Sequence, residues 1–216
     1  ENAVLVRIVE ETIQRNEVAL FPVFAIGRSQ EVMMILERYA HKIALDGMAK
    51  LASEIIAGHG AYLRDARKFR EILKKTMFVR SHEDRIKALK NRPIIISSAG
   101  MLGGGPAVSY LREISKRKGS KVMFTGFLVE ESPGRNLIET KIFKNSEEEF
   151  NVHCDVHQFE LSAHTDRTGI FDIIKRTRPS TVICVHGDKC QQLAKDVEEN
   201  FGIQAFAPKN GEEVRV

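Results

Sequence analysis

Short, wholly apolar runs recur along this chain, and each leads into a turn and an amphipathic stretch. Val18-Ala19-Leu20-Phe21-Pro22-Val23, Ile43-Ala44-Leu45, Pro93-Ile94-Ile95-Ile96-Ser97-Ser98 and Lys121-Val122-Met123-Phe124-Thr125 show no polar–apolar alternation. Such strands are buried on both faces, as in a parallel sheet covered by helices. Gly27-Arg28-Ser29-Gln30-Glu31 leads into Val32, Ile35, Leu36 and Tyr39 at helical spacing, with Ser29 placed as the N-cap. Helical patterns also cover Ala3–Arg15, Met48–Leu63, Lys68–Lys75, Ser81–Leu89 and Ala107–Lys116, with a brief strand at Phe78-Val79. The repeated order of strand, loop and helix predicts an α/β fold with a doubly wound, mainly parallel sheet.

The pattern changes near Asn136. Leu137–Phe143 and Phe150–Phe159 alternate apolar and polar residues, as half-buried and often antiparallel strands do. A helix is expected over Thr168–Arg176 with Ile170, Phe171, Ile173 and Ile174 inward. A buried strand follows at Thr181–Val185, then a helix at Lys189–Phe201 and closing strands in Gln204–Val216. The expected division is therefore 1–135 and 136–216.

The charge is uneven. Residues 64–92 hold eleven Lys and Arg against four acids, a surplus of seven that suits a phosphate backbone or a solvated helical face. No apolar run approaches the ~20 residues of a membrane span. Cys154, Cys184 and Cys190 are odd in number and form no Cys-x-x-Cys pair, which points to free thiols in a reducing cytoplasm.

Two histidines share one context. Val182-Ile183-Cys184-Val185-His186-Gly187-Asp188 ends an apolar strand on His186, and Leu161-Ser162-Ala163-His164-Thr165-Asp166 repeats the pattern. A strand end holds an imidazole rigidly, which suits a metal ligand or an acid–base group. Two protein ligands are too few for a catalytic zinc. His153 and His157 share a strand face opposite Val152, Cys154 and Val156, and both are expected to face solvent. The loop Gly100-Met101-Leu102-Gly103-Gly104-Gly105-Pro106 joins a strand to a helix, a geometry whose free amides suit a phosphate. It lacks the Lys-Ser/Thr of a nucleotide-binding P-loop, so a tight structural turn is its other reading. Arg28 suits a phosphate or carboxylate, or a structural pairing with Glu31.

Five stretches together resemble the β-CASP group of the metallo-β-lactamase superfamily, of the archaeal and eukaryotic cleavage-and-polyadenylation type. They are Phe21–Glu31; Ser97–Pro106; Thr125-Gly126-Phe127 with Gly134-Arg135; Leu161–Asp166; and Val185–Asp188. The resemblance covers essentially the whole chain. It implies a β-CASP domain over 1–135, followed by the C-terminal strands and helices of a metallo-β-lactamase αββα domain over 136–216. It implies that His164 is a general acid and His186 a ligand to one of two zinc ions. Ser162 and Asp166 would orient His164, and Asp188 would stand behind His186. Arg28, Ser98, Gly100, Gly103 and Gly104 would lie along the nucleic-acid backbone.

The family's His-x-His-x-Asp-His motif and its other metal ligands do not occur in this chain. The expectation is therefore a C-terminal half, inactive alone, of a zinc-dependent ribonuclease acting on single-stranded RNA. The N-terminal half is its expected partner, a homodimer is consistent with the family, and no membrane is involved. A non-catalytic RNA-binding or scaffold paralogue is the alternative.

Overall fold

Helix α1 (Asn2–Gln14) leads into strand β1 (Ala19–Pro22), α2 (Arg28–Ile35), β2 (Ile43–Asp46) and α3 (Ala49–Gly58). Then come α4 (Ala66–Lys75), β3 (Met77–Phe78), α5 (His82–Asn91), β4 (Ile94–Ser97), α6 (Pro106–Ile114) and β5 (Lys121–Phe124). Helix α7 (Pro133–Thr140), β6 (Ile142–Lys144), β7 (Glu149–Asn151) and β8 (Asp155–Gln158) follow, and α8 (Arg167–Thr177), β9 (Thr181–Ile183), α9 (Cys190–Phe201) and β10 (Gln204–Phe206) close the chain. This computed structural model describes residues 1–161 and 165–215. The chain divides into two compact units, Glu1–Leu161 and Ser162–Val216.

The first unit is built on a six-stranded sheet in the order β3-β2-β4-β1-β5-β8. Every pairing in it is parallel. Strand alternation splits the core into two layers. Leu20, Ala44, Ile95, Val122 and Phe124 face the layer of α6, with Tyr110, Leu111 and Ile114. Phe21, Ile43, Leu45, Ile94, Ile96 and Met123 face the layer of α1 and α2, with Leu5, Val9, Val32 and Met33. The continuous apolar runs arise from this covering on both faces, as the sequence pattern predicts.

The structure differs from the sequence pattern at several points. The N-cap of α2 is Gly27, with φ 81°, and not Ser29. Ser29 lies inside the helix and its Oγ donates to the Ala25 carbonyl at 2.8 Å. Gln30 Oε1 accepts the Gly27 amide at 2.7 Å instead. The alternation at Leu137–Thr140 belongs to helix α7, not a strand. Ser132 caps this helix, accepting the Arg135 amide, and Pro133 occupies its first position. The pattern of apolar Leu137 and Ile138 among polar residues fits either period over so short a span, and the cap decides. Strands β6 and β7 form the expected antiparallel pair. Strand β8, by contrast, runs parallel to β5, so the first unit continues through Leu161, past residue 135. On α8 only Ile174 is buried and Ile173 is exposed. Residues 173 and 174 project about 100° apart on a helix, so a narrow stripe cannot take both.

Edge strand β8 also corrects the expectation for its histidines. His153 is exposed, but His157 is half-buried and its Nε2 is buried without a hydrogen-bond partner among the described residues. Its ring stacks on Phe159 with centroids 6.4 Å apart. Burial lowers the His157 pKa, with Lys121 and Lys141 adding to the effect and Asp155 opposing it. The unfolded chain therefore takes up a proton near the ordinary value of 6.5 that the folded chain resists. Stability should fall as the pH drops through that value toward the lower folded pKa. Urea midpoints across this window should decline less steeply for His157→Gln than for the wild type; equal slopes would show that His157 is not responsible.

The second unit pairs β9 with β10 in parallel, Thr181 to Gln204 and Ile183 to Phe206. Phe171 of α8 meets Phe201 of α9 edge-on at 5.0 Å, and Arg167 lies over Phe171 and bonds Asp196 at 2.9 Å. Among the described residues, the expected closing strands reduce to Gln204–Phe206. No helix of the described residues is long and apolar enough to cross a membrane.

Candidate functional site

The sheet order fixes where ligands can reach the first unit. After β1 the chain leaves through α2 on one face, and after β4 it leaves through α6 on the other. Adjacent parallel strands whose connections diverge leave a crevice at their carboxyl ends. The loops after β1 and β4 meet there. A Cβ at Gly100 would stand 3.0 Å from the Phe24 amide nitrogen and 3.1 Å from the Val23 carbonyl carbon. Only glycine allows the two backbones to approach so closely.

The Ser98–Gly105 loop is held from below. Ser98 Oγ accepts the Met48 amide at 3.0 Å, and its carbonyl accepts the Ala107 amide at 3.3 Å. Gly105, with φ 73°, caps α6, and Pro106 starts it. Open space surrounds the Cα atoms of Gly103 and Gly104. Gly47, with φ 75°, has no room at all, since a Cβ there would stand 2.1 Å from Ser98 Oγ. Ser98, Gly100, Gly103 and Gly104 thus occupy one loop, and Gly100 shares a cleft with Arg28. The Arg28 side chain is only 14% exposed and pairs with Glu31 of the next helical turn.

Beneath the same rim lies a charged network that the sequence does not announce. Asp46 is 1% exposed, at the end of β2. Its Oδ2 accepts from Arg85 Nε at 2.7 Å and from the Tyr110 hydroxyl at 3.1 Å. Its Oδ1 accepts the Gly47 amide at 2.6 Å, with Lys50 Nζ 3.6 Å away. Burial, reinforced by Asp46, pushes the Tyr110 phenol well above its ordinary range, so it stays a neutral donor. Of the eleven cations in residues 64–92, Arg67, Lys68, Arg85 and Lys87 sit in salt bridges, Lys68 and Arg85 with acids outside the stretch.

In the second unit, His186 follows β9 in a turn with φ 66° and is exposed, as is Asp188. No hydrogen bond engages the His186 imidazole among the described residues. Beside this turn opens a pocket lined by Ile170, Cys184, Val185, Gly187, Cys190 and Leu193. Asp166 caps α8, with Oδ1 accepting the Gly169 amide at 2.8 Å. Ser162 and His164 lie outside the described residues. Among the described residues no cluster of three His, Cys, Asp or Glu side chains could hold a metal. A catalytic zinc takes three protein ligands, so the described residues do not complete such a centre.

Residues 29–137 match the Beta-Casp domain model, just over half of the chain. The chain belongs to the β-CASP family. Residues 149–208 also match the model of a Zn-dependent metallo-hydrolase RNA specificity domain. Among relatives, Probable RNase MJ4 of Methanocaldococcus jannaschii is 33% identical, over 96% of this chain and 50% of its own length. RNase aCSPSF2 of Saccharolobus solfataricus is 29% identical, over 95% of this chain and 42% of its own. Transcription termination factor FttA of Pyrococcus horikoshii is 32% identical, over 98% of this chain and 37% of its own. This β-CASP chain therefore spans half or less of the length of these curated relatives. The β-CASP motif Thr125-Gly126-Phe127 is visible in the sequence, but the orphaned Thr125 hydroxyl is not. Nor is the Asp46 network, whose members lie 39 and 64 residues apart in sequence.

Proposed function

We propose that this chain is the C-terminal half of a zinc-dependent ribonuclease that hydrolyses phosphodiester bonds of single-stranded RNA in mRNA processing or decay. The ordered match of both domain models, with relatives named as ribonucleases, supports this reading most strongly. In it, residues 1–135 form the β-CASP domain and 136–216 the closing part of the metallo-β-lactamase domain. The preceding half of the protein supplies the remaining metal ligands, and a homodimer is consistent with the family. His186 would supply an imidazole ligand to one of two zinc ions, which when bound would activate water and stabilise charge on phosphate. His164, oriented by Ser162 and Asp166, protonates the leaving oxygen, and Asp188 supports the His186 turn. Arg28, Ser98, Gly100, Gly103 and Gly104 guide the RNA backbone along the carboxyl rim of the sheet. The free thiols Cys154, Cys184 and Cys190 suit a reducing cytoplasm, where we place the protein.

The name of the termination-factor relatives favours a role in transcription termination. A non-catalytic RNA-binding or scaffold paralogue is the competing reading. The complete protein should cut single-stranded RNA, stop in EDTA and recover with added zinc, while the 216-residue chain alone should not cut. Robust EDTA-sensitive cleavage by the isolated chain would refute the division of ligands between halves. RNA binding without cleavage by the complete protein would favour the paralogue.

A further inference from the structure

Two aromatic rings stand exposed where the RNA rim would run. Phe24 follows β1 and is 51% exposed, and Phe127 follows β5 and is 75% exposed. Strands β1 and β5 are hydrogen-bonded neighbours, in register Ala19 to Lys121 and Leu20 to Val122. Both strands therefore end side by side, and one cleft takes in Phe24, Phe127, Arg28, Gly100, Thr125 and Gly126. Single exposed aromatics are common on protein surfaces and carry no meaning. A pair at adjacent strand ends, lining one cleft with a guanidinium, is a different arrangement.

The polar floor of that cleft narrows its occupant. Thr125 is only 3% exposed, and its Oγ1 is buried with no hydrogen-bond partner among the described residues. A buried hydroxyl left unpaired is costly, and such groups in native proteins call for an explanation. Arg28 Nε passes under Gly126, where a Cβ would stand 4.0 Å from it. Arg28 is already paired with Glu31, so it is the Thr125 hydroxyl that an apolar protein face pressed onto this cleft would seal from water without a partner. A nucleobase meets each requirement. Its flat face stacks on phenyl rings, its edge carries donors and acceptors, and the backbone phosphate of its nucleotide is drawn to a guanidinium.

We propose that Phe24 and Phe127 form a stacking step for one or two unpaired bases, with Arg28 and the Thr125 hydroxyl as its polar floor. The inference rests on the ribonuclease reading and deepens it. Duplex RNA hides its base faces within the stack, so the step would select single strands. It would also tolerate sequence, because every base has a stacking face. Phe24 and Phe127 are then specificity-determining residues for strandedness and touch no reacting atom.

The test uses the complete protein in a His164→Ala background and an unstructured oligoribonucleotide of alternating cytidine and adenosine. Phe127→Ala and Phe24→Ala should each weaken binding by about 10-fold or more. Phe127→Trp should restore it, and Phe127→Leu, which keeps an apolar side chain but no ring face, should not. An abasic site placed at each position in turn should weaken wild-type binding most at one or two positions and add nothing there in Phe127→Ala. Unchanged binding by both alanine variants overturns the step. So does a lowered melting temperature with binding intact, which would make the rings a protein-packing surface. If the unsubstituted protein neither binds nor cuts the oligomer, the ribonuclease reading falls and takes the step with it. If it binds and cuts while the alanine variants bind as tightly as their His164→Ala parent, the step alone falls.

Discussion

Asp46→Ala should destabilise the first unit by about 1–3 kcal/mol, the usual cost of leaving a buried donor without its acceptor. The carboxylate accepts from Arg85, Tyr110 and the Gly47 amide, and Lys50 stands close by. Alanine leaves all of these donors facing a small cavity. The Tyr110 hydroxyl suffers most, because Tyr110 is buried and the network contains no other acceptor for it. Arg85 is partly exposed and can turn to water, so Arg85→Ala should cost less. Tyr110→Phe removes one hydroxyl and keeps the ring, so a cost of about 1 kcal/mol is expected. Asp46→Asn should not rescue, since its amide group would place a donor against donors. Denaturant unfolding of the four variants gives the order directly. Asp46→Ala unfolding at the wild-type midpoint would show that the carboxylate is not the centre of the network. The effect should reach the site as well, because Asp46 fixes the Gly47 turn on which Ser98 rests.

Much of the parallel sheet was legible because burial on both faces writes itself as uninterrupted apolar residues. Ile94-Ile95-Ile96 admits no other reading once a glycine loop and a helix follow it. Strand β8 departs from the antiparallel expectation for the converse reason. It lies at the sheet edge, so His157 and Gln158 replace the apolar run, and alternation alone does not distinguish parallel from antiparallel. Helix α7 carried its signal in Ser132-Pro133, a cap and first-turn proline, which outweighs a four-residue periodicity. Gly100 was legible as a special backbone position, but the close approach to Phe24 that explains it depends on strands that are distant in sequence. The Asp46 network and the Thr125 hydroxyl were not legible, because nothing local distinguishes a buried Asp or Thr at a strand end from an exposed one.

His186→Asn in the complete protein should lower zinc content and reduce RNA cleavage by about 100-fold or more, given that loss of a mere supporting contact to a metal ligand costs 10–100-fold. Stability should change little, within about 0.5 kcal/mol, as for surface positions without structural duty. The backbone explains the choice of asparagine. His186 holds φ 66°, a left-handed conformation that asparagine tolerates and that penalises alanine. His186→Ala would thus mix backbone strain with loss of the imidazole, while His186→Asn isolates the ligand. Metal analysis and a melting curve separate the two roles before any activity is measured. A strand-end histidine that only shaped its turn would give normal zinc content with a shifted melting temperature. A ligand gives the reverse, because the exposed imidazole makes no hydrogen bond among the described residues that folding could lose. Normal zinc content together with wild-type cleavage would remove His186 from the metal centre. The Val185–Asp188 motif would then stand as a turn between β9 and α9 and nothing more.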